Sequence, residues 1–399
     1  MTPLPDYPEA LKRALEGVEP LGETETVDAV AAAGRVLSRP VIADRPLPPF
    51  DRAQMDGYAV RSTDLTRGAA LPVTGSIAAG QPAPTAVPAG QCVAIATGAP
   101  LPADLDAVIP HELSDRGNPV CFTIDSIEPG HAIHHRGADA GSGDLLVPAG
   151  TVLGARHLGI AATSGGCRLD VARRPRANVL TSGDEIRPAD QVVADHQVRN
   201  ANAPMIRHML AAIGADPIAH VHVFDDLEAT VDSVGRALDR CDLLITVGGI
   251  SAGDRDYVPA AFERHGVTAS LSGASIQPGG PIRVGRSPGG VVVVGLPGNP
   301  VSVLACMCLF CWPILRVMLG LVPTLGWRER RLAEGVMPNS RRRAFRPAIL
   351  DADERARVPR WAGSGDLAHT APTAGLLELP VQVEEVRPGS ALRFLPWPS

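Results

Sequence analysis

Two segments of this chain repeat one design, and it narrows the fold more than any other feature. Leu243 to Val247 runs into Gly248-Gly249-Ile250-Ser251-Ala252-Gly253-Asp254-Arg255-Asp256-Tyr257. Val291 to Val294 runs into Gly295-Leu296-Pro297-Gly298-Asn299-Pro300. Each is a short apolar strand, a glycine-rich turn and the start of a helix. Such runs belong to parallel sheets covered by helices. If the two strands are neighbours, their turns face one crevice rich in backbone N–H groups. A crevice of that kind suits anions, phosphates above all.

The 399 residues suffice for several domains with sizeable cores, and 45% of them are hydrophobic. A net charge of −6 argues against general nucleic-acid binding. The seven cysteines are odd in number and irregularly spaced, and no apolar leader stands at the N-terminus, so a reduced, cytoplasmic setting is expected. The longest apolar run, Val301 to Leu315, is too short to span a bilayer and contains Pro313; it reads as a buried helix. Cys306, Cys308 and Cys311 on it would face different sides and serve as core residues. All but Lys12 of the 37 lysines and arginines are arginine, a bias that matters below.

The chain reads as α/β and multidomain. Residues 1–41 with 140–175 form an expected helical and linking domain. In it Asp6 caps a first helix, Pro8 fits its first turn, Val27 to Leu37 is a second helix and Ala155 to Ala162 a third. Residues 42–139, punctuated by proline and glycine, read as an inserted β-rich domain. Residues 176–322 alternate strand and helix and read as a mostly parallel sheet domain. Strands are expected at Ala177–Leu180, Ile218–Val223, Leu243–Val247 and Val291–Val294. Helices are expected at Ala203–Ile213, Leu227–Leu238, Tyr257–Arg264 and Val301–Leu315. Residues 323–399 return to short strands.

Leu180-Thr181-Ser182-Gly183-Asp184-Glu185 ends a strand with two carboxylates at its C-terminal edge, where open α/β sheets bind ligands. Asp184, Glu185, Asp254 and Asp256 would share the crevice with a phosphate only if a divalent cation, Mg²⁺ in the usual case, bridged them. His220 and His222 share a strand face. With no third ligand near, they read as structural rather than metal-binding. His134-His135-Arg136, Arg328 to Arg331 and Arg341 to Arg343 read as solvated surface.

Met55-Asp56-Gly57-Tyr58-Ala59-Val60, Thr97-Gly98-Ala99-Pro100, Ser182-Gly183-Asp184-Glu185 and the two glycine turns occur in an order that resembles the MoeA family, the molybdopterin molybdenumtransferases similar to the gephyrin E domain. The resemblance covers essentially the whole chain. It implies an elongated four-domain homodimer with a central α/β domain and a C-terminal β-barrel. It implies insertion of molybdate into adenylated molybdopterin with release of AMP, with Mg²⁺ on Glu185 and Asp256. It carries catalytic roles to Asp56, Thr97, Asp139, Glu185 and Asp256. Ligand-binding roles fall on Gly183, Asp184, Asn200, Gly248, Gly249, Ser251, Gly253, Pro297, Gly298 and Asn299. Pro281, Ser302 and Ser364 fall on the molybdate side. Implied partners are a molybdopterin adenylyltransferase and acceptor molybdoenzymes, with no nucleic acid and no membrane.

The chain departs from the family pattern where charge matters. Lys-Pro-Gly-Lys-Pro reads Gln277-Pro278-Gly279-Gly280-Pro281, so both lysines are gone. A family aspartate is Asn200, and the glutamate of Arg-Gly-Glu-Asp is Ala138. The family's Phe-x-Arg reads Phe345-Arg346-Pro347. Arg283 and Arg346 are the expected replacement cations. Two functions stay open at this point: a molybdenumtransferase, or a paralogue that binds and delivers molybdopterin or the finished cofactor.

Overall fold

A computed structural model describes residues 3–250, 257–382 and 384–398. The chain forms two compact units, Met1–Glu25 with Ala172–Ser399, and Thr26–Val171. Helix α1 (Tyr7–Leu15) starts as its sequence predicts: Asp6 accepts from the Glu9 N–H and Pro8 sits in the first turn. Its stripe of Tyr7, Ala10 and Ala14 is buried in the larger unit's core. Residues 1–25 therefore separate from residues 26–41 and 140–171, with which the sequence grouped them.

The expected helix at Val27–Leu37 does not form. A strand covers Thr24–Asp28, and a single 3₁₀ turn covers Ala29–Ala32. Gly34, at φ +73°, breaks the segment, and extended pairing claims its two ends. Ala32, Leu37 and Val41 pack with Val147, Leu153, Ala161 and Leu169 as a separate small core. The main sheet of this unit consists of β1 (Gly57–Val60), β2 (Val73–Ile77), β3 (Cys92–Ile95) and β4 (Ala107–Pro110), in the order β2-β3-β1-β4. The return helix is α2 (Ala155–Thr163).

The larger unit alternates as expected: β5 (Arg176–Ser182), α3 (Asn202–Ala212), β6 (Asp216–Val223), α4 (Leu227–Leu238), β7 (Leu243–Val247), α5 (Val258–Arg264), β8 (Thr268–Ser272), β9 (Ile276–Gln277), β10 (Arg283–Arg286) and β11 (Val292–Leu296). The sheet order is β6-β5-β7-β11-β10-β8. The four strands β6 to β11 are parallel, and β10 and β8 add an antiparallel edge. All five residues of β7 and of β11 are buried, which is why their sequences are continuous apolar runs rather than alternating ones.

The helix after the second glycine turn is longer than its sequence suggests. It runs without a break from Pro300 to Met318, through a π turn at Met307–Cys311 where the Trp312 N–H reaches the Met307 carbonyl. The wider turn carries the helix past Pro313. By length and composition alone this segment, α6, is sufficient to cross a membrane, yet most of it is buried in the unit's core. Cys306, Cys308 and Cys311 are all fully buried there, and burial pushes their thiols up.

The C-terminal residues build β12 (Arg328–Arg331), β13 (Arg343–Leu350), β14 (Ala356–Arg357), β15 (Gly375–Leu379) and β16 (Ala391–Pro396). Their order is β9-β13-β15-β16-β12, with β14 on β13 and a bridge from Leu332 to Ala356. β9 thus belongs to this sheet although its chain neighbours belong to the other.

Candidate active site

The parallel strands β5, β7 and β11 end side by side: Thr181 lies opposite Val247, and Val247 opposite Leu296. At that edge is a cavity of about 700 Å³. Its wall includes Gly183, Glu185, Asn200, Gly248, Gly249, Pro281, Pro297, Gly298 and Asn299, all singled out from sequence. Ser251, Gly253, Asp254 and Asp256 lie outside the described residues.

The two glycine turns meet. A Cβ placed on Gly298 would sit 3.8 Å from the Gly248 Cα. Gly248 and Gly249 have φ of +87° and +60°, and a Cβ on either would press on Ser182 at 3.0–3.1 Å. Only glycine fits that double constraint cheaply. The Gly248 N–H is spent on the Leu296 carbonyl. The Gly249, Gly298 and Asn299 amides have no acceptor among the described residues. Helix α6 also begins here, with its positive dipole end at the cavity wall. Asn202 Nδ2 donates to the Gly298 carbonyl at 2.7 Å, and Asn299 Nδ2 to Ser364 Oγ at 2.8 Å, which pins the second turn from both sides. The buried Ser182 Oγ and Asn202 Oδ1 have no hydrogen-bond partner among the described residues, as polar atoms of a ligand site would.

The remaining expected residues diverge. Asp184 does not line the cavity; its Oδ1 accepts from the Asp225 N–H at 3.1 Å. Ser302 is buried on α6, behind the wall. Arg283 does not supply the lost cation to this cavity. It lines a neighbouring pocket, with its Nε donating to the Ile250 carbonyl at 3.3 Å. Arg346 is stacked 3.8 Å over the Trp361 ring, and burial pulls its guanidinium down to about 10. Asn200 is tied at both ends: Nδ2 donates to Thr181 Oγ1, and Oδ1 accepts from the Ala203 N–H at the start of α3. Wall residues that had escaped the sequence reading include Asp225, Arg199 and Gly365. Asp225 was legible in principle, since it follows a predicted strand at its C-terminal end; Arg199 was not.

Thr181 Oγ1 lies 3.0 Å from both His220 Nε2 and His222 Nδ1. With Asn200 donating, this hydroxyl has one lone pair and one proton left. One imidazole must donate to it and the other accept, so the accepting ring is held neutral. Burial lowers each imidazole below its ordinary value, and for His220 the second imidazole adds to the effect. A depressed histidine stabilises the fold fully above its unfolded pKa of about 6.5 and loses that contribution as pH falls through the folded value. The melting temperature is therefore expected to fall from pH 7 to pH 5. Joint His220→Gln and His222→Gln substitution should flatten that slope; an unchanged slope would exonerate the pair.

In the smaller unit, Asp56 and Thr97 come together. Asp56 Oδ1 accepts from the Thr97 N–H at 2.7 Å and from its hydroxyl at 2.8 Å, which lowers the carboxyl below its usual range. Asp139 Oδ1 lies 2.9 Å from His134 Nε2, while Arg52 donates to His134 Nδ1. Arg52 thereby fixes the tautomer in which His134 donates to Asp139. His135 and the Arg136 N–H reach Asp51. The expected solvated loop is thus pinned to the Pro48-Pro49-Phe50-Asp51 segment.

A parallel sheet whose strand ends carry two apposed glycine turns and a helix N-terminus marks the class of α/β proteins that hold phosphorylated ligands at the sheet edge. Residues 6–165 match the MoeA N-terminal region (domain I and II), and residues 178–317 match the probable molybdopterin binding domain. The chain is 34% identical to molybdopterin molybdenumtransferase 2 of Mycobacterium tuberculosis over 387 residues, 92% of this chain and 94% of that one. It is also 34% identical to a molybdopterin molybdenumtransferase of Nostoc sp. over 313 residues, 76% of this chain and 71% of that one. The crystal structure of the molybdopterin biosynthesis moeA protein from Pyrococcus horikoshii OT3 superposes with a TM-score of 0.86 at 25% identity, covering 99% of this chain and 100% of that one. The chain belongs to the MoeA family.

Proposed function

We propose that the protein is a molybdopterin molybdenumtransferase, which inserts molybdate into adenylated molybdopterin and releases AMP in molybdenum cofactor biosynthesis. The observation that carries this reading is the cavity with its two apposed glycine turns, unspent amides and helix N-terminus. Its volume suits a pterin with a phosphate. The phosphate would seat on the Gly249, Gly298 and Asn299 amides. The molybdate would enter from the side of Pro281 and Ser364. Relatives similar over most of this chain bear the name molybdopterin molybdenumtransferase.

The Glu185 carboxylate stands on the cavity wall with no hydrogen-bond or ion-pair partner among the described residues. A hard, unpaired oxygen donor beside a phosphate seat fits Mg²⁺, which takes one or two carboxylates and fills its other positions with water and phosphate oxygens. Glu185, joined by Asp256, would hold the ion, which would supply charge neutralisation to the phosphoanhydride being cleaved. In the homodimer proposed for the protein, Asp56, Thr97 and Asp139 would serve the partner protomer's cavity. The finer organisation we propose is four domains, the residues after 322 closing into a barrel through the Leu332 bridge. An adenylyltransferase would supply the substrate and molybdoenzymes would take the product.

The test is AMP release by the purified protein given adenylated molybdopterin, Mg²⁺ and molybdate. AMP that appears only when molybdate is present is the expected result. Tight pterin binding with no AMP would favour a delivery protein instead.

A further inference from the structure

Two histidines outside the cavity wall reach it through one hydroxyl. On the edge strand β6, His222 stands opposite Thr181 of β5, and His220 opposite Val179. Thr181 is buried and lines the cavity; neither histidine does. Its Oγ1 meets three side chains: His220 Nε2 and His222 Nδ1, each at 3.0 Å, and Asn200 Nδ2 at 3.1 Å. The direction of the third bond is fixed. Asn200 Oδ1 accepts the Ala203 N–H at 3.0 Å, so the amide turns its NH₂ to Thr181. Accepting from Asn200 and from one imidazole, and donating to the other, saturates the hydroxyl and leaves it nothing for a ligand.

The contacts continue to the phosphate seat proposed above. Between Asn200 and Ala203 lies Asn202, whose Nδ2 donates to the Gly298 carbonyl at 2.7 Å. Gly298 belongs to the second glycine turn. Fixing Asn200 therefore fixes the segment that holds this turn. His222 adds a second observation. Its Nε2 is buried with no hydrogen-bond partner among the described residues, a cost that an apolar side chain would avoid. What the ring gains there is the Nδ1 contact with Thr181. We infer that His220 and His222 are positioning residues for the cavity. They lock the Thr181 hydroxyl, the hydroxyl locks Asn200, and the second glycine turn is held through Asn202. Neither imidazole touches the ligand.

This inference rests on the transferase reading, because the positioning serves substrate binding. A seat held in shape contributes alike to ground state and transition state, so loosening it raises KM and leaves kcat. The test is steady-state AMP release by the full chain over a range of adenylated molybdopterin, with Mg²⁺ and molybdate fixed, at about pH 8, above the ordinary imidazole range. His222→Phe keeps a ring without the polar contact. Its KM is expected to rise about tenfold, with kcat within about threefold of the parent. His222→Asn returns a polar atom near the place of Nδ1 and should recover most of the loss. His220→Gln should do the same relative to His220→Phe. A merely structural role would lower the melting temperature without splitting KM from kcat. Should His222→Phe fail to fold, Thr181→Val, which exchanges the hydroxyl for a methyl, is expected to show the same rise. Unchanged KM in the folded variants overturns the inference, and so does a loss of kcat at constant KM. A parent chain that releases no AMP brings down the transferase reading instead. Equilibrium binding of molybdopterin by the same variants then decides: about tenfold weaker binding by His222→Phe upholds the positioning role, and equal binding, or none by the parent, ends it.

Discussion

Replacing Glu185 by glutamine is expected to cut molybdate-dependent AMP release at least a hundredfold and leave the melting temperature within a degree or two of the parent. The residue is exposed, and its side chain has no hydrogen-bond or ion-pair partner among the described residues. Its carboxylate stands at the cavity wall beside the proposed phosphate seat, and the amide keeps its shape while removing its charge. Removing one preorganised charge-stabilising group from a site costs roughly 10²–10³ in rate. If Glu185 holds Mg²⁺, the half-saturating concentration of the ion should rise in the same variant. A glutamine variant with more than a tenth of the parent rate would strike Glu185 from the catalytic set.

The second large effect is structural. Gly57→Ala should destabilise the unit Thr26–Val171 by about 3 kcal/mol or more, seen as an early, separate melting transition and faster proteolysis within that unit. Strand β1 runs between β3 and β4, and Gly57 faces Ile95 on one side and Pro110 on the other. A Cβ at Gly57 would overlap the Ile109 carbonyl oxygen and lie 3.0 Å from the Pro110 Cα. Backbone cannot step aside as the end of a flexible side chain can. The neighbouring Asp56 bonds Thr97 just after β3, so widening the sheet would also pull that pair apart. If the variant melts as the parent does, the close approach is not what demands glycine here.

The larger unit was largely legible before any coordinates. β7 and α4 fall where the apolar runs placed them, because a five-residue buried strand and an amphipathic helix carry local signatures; the structure adds the Asp226 cap of α4. The paired glycine turns were legible for the same reason. The segment Val27–Leu37 was misleading: its alanines suggest helix, but strand partners distant in sequence captured it. Helix α6 outran its predicted end because a π turn, which has no sequence mark of its own, carried it past Pro313.

The cations show the division most clearly. Residue order alone showed that the family's two lysines are missing at Gln277 and Gly280, that both glycine turns are present and that a crevice suited to phosphate is expected from them. Where the chain's other cations stand depended on tertiary structure. Arg283 was the near choice in sequence, but its backbone register turns it to the Ile250 carbonyl and a neighbouring pocket. Arg342, sixty-two positions after Gly280, arrives beside it through the Gln277–Asn339 hydrogen bond and the β9–β13 pairing. Motif, turn and strand are local properties and are written in neighbouring residues. A charge brought across from another sheet depends on contacts between segments far apart in the chain, and only the folded chain brings those together.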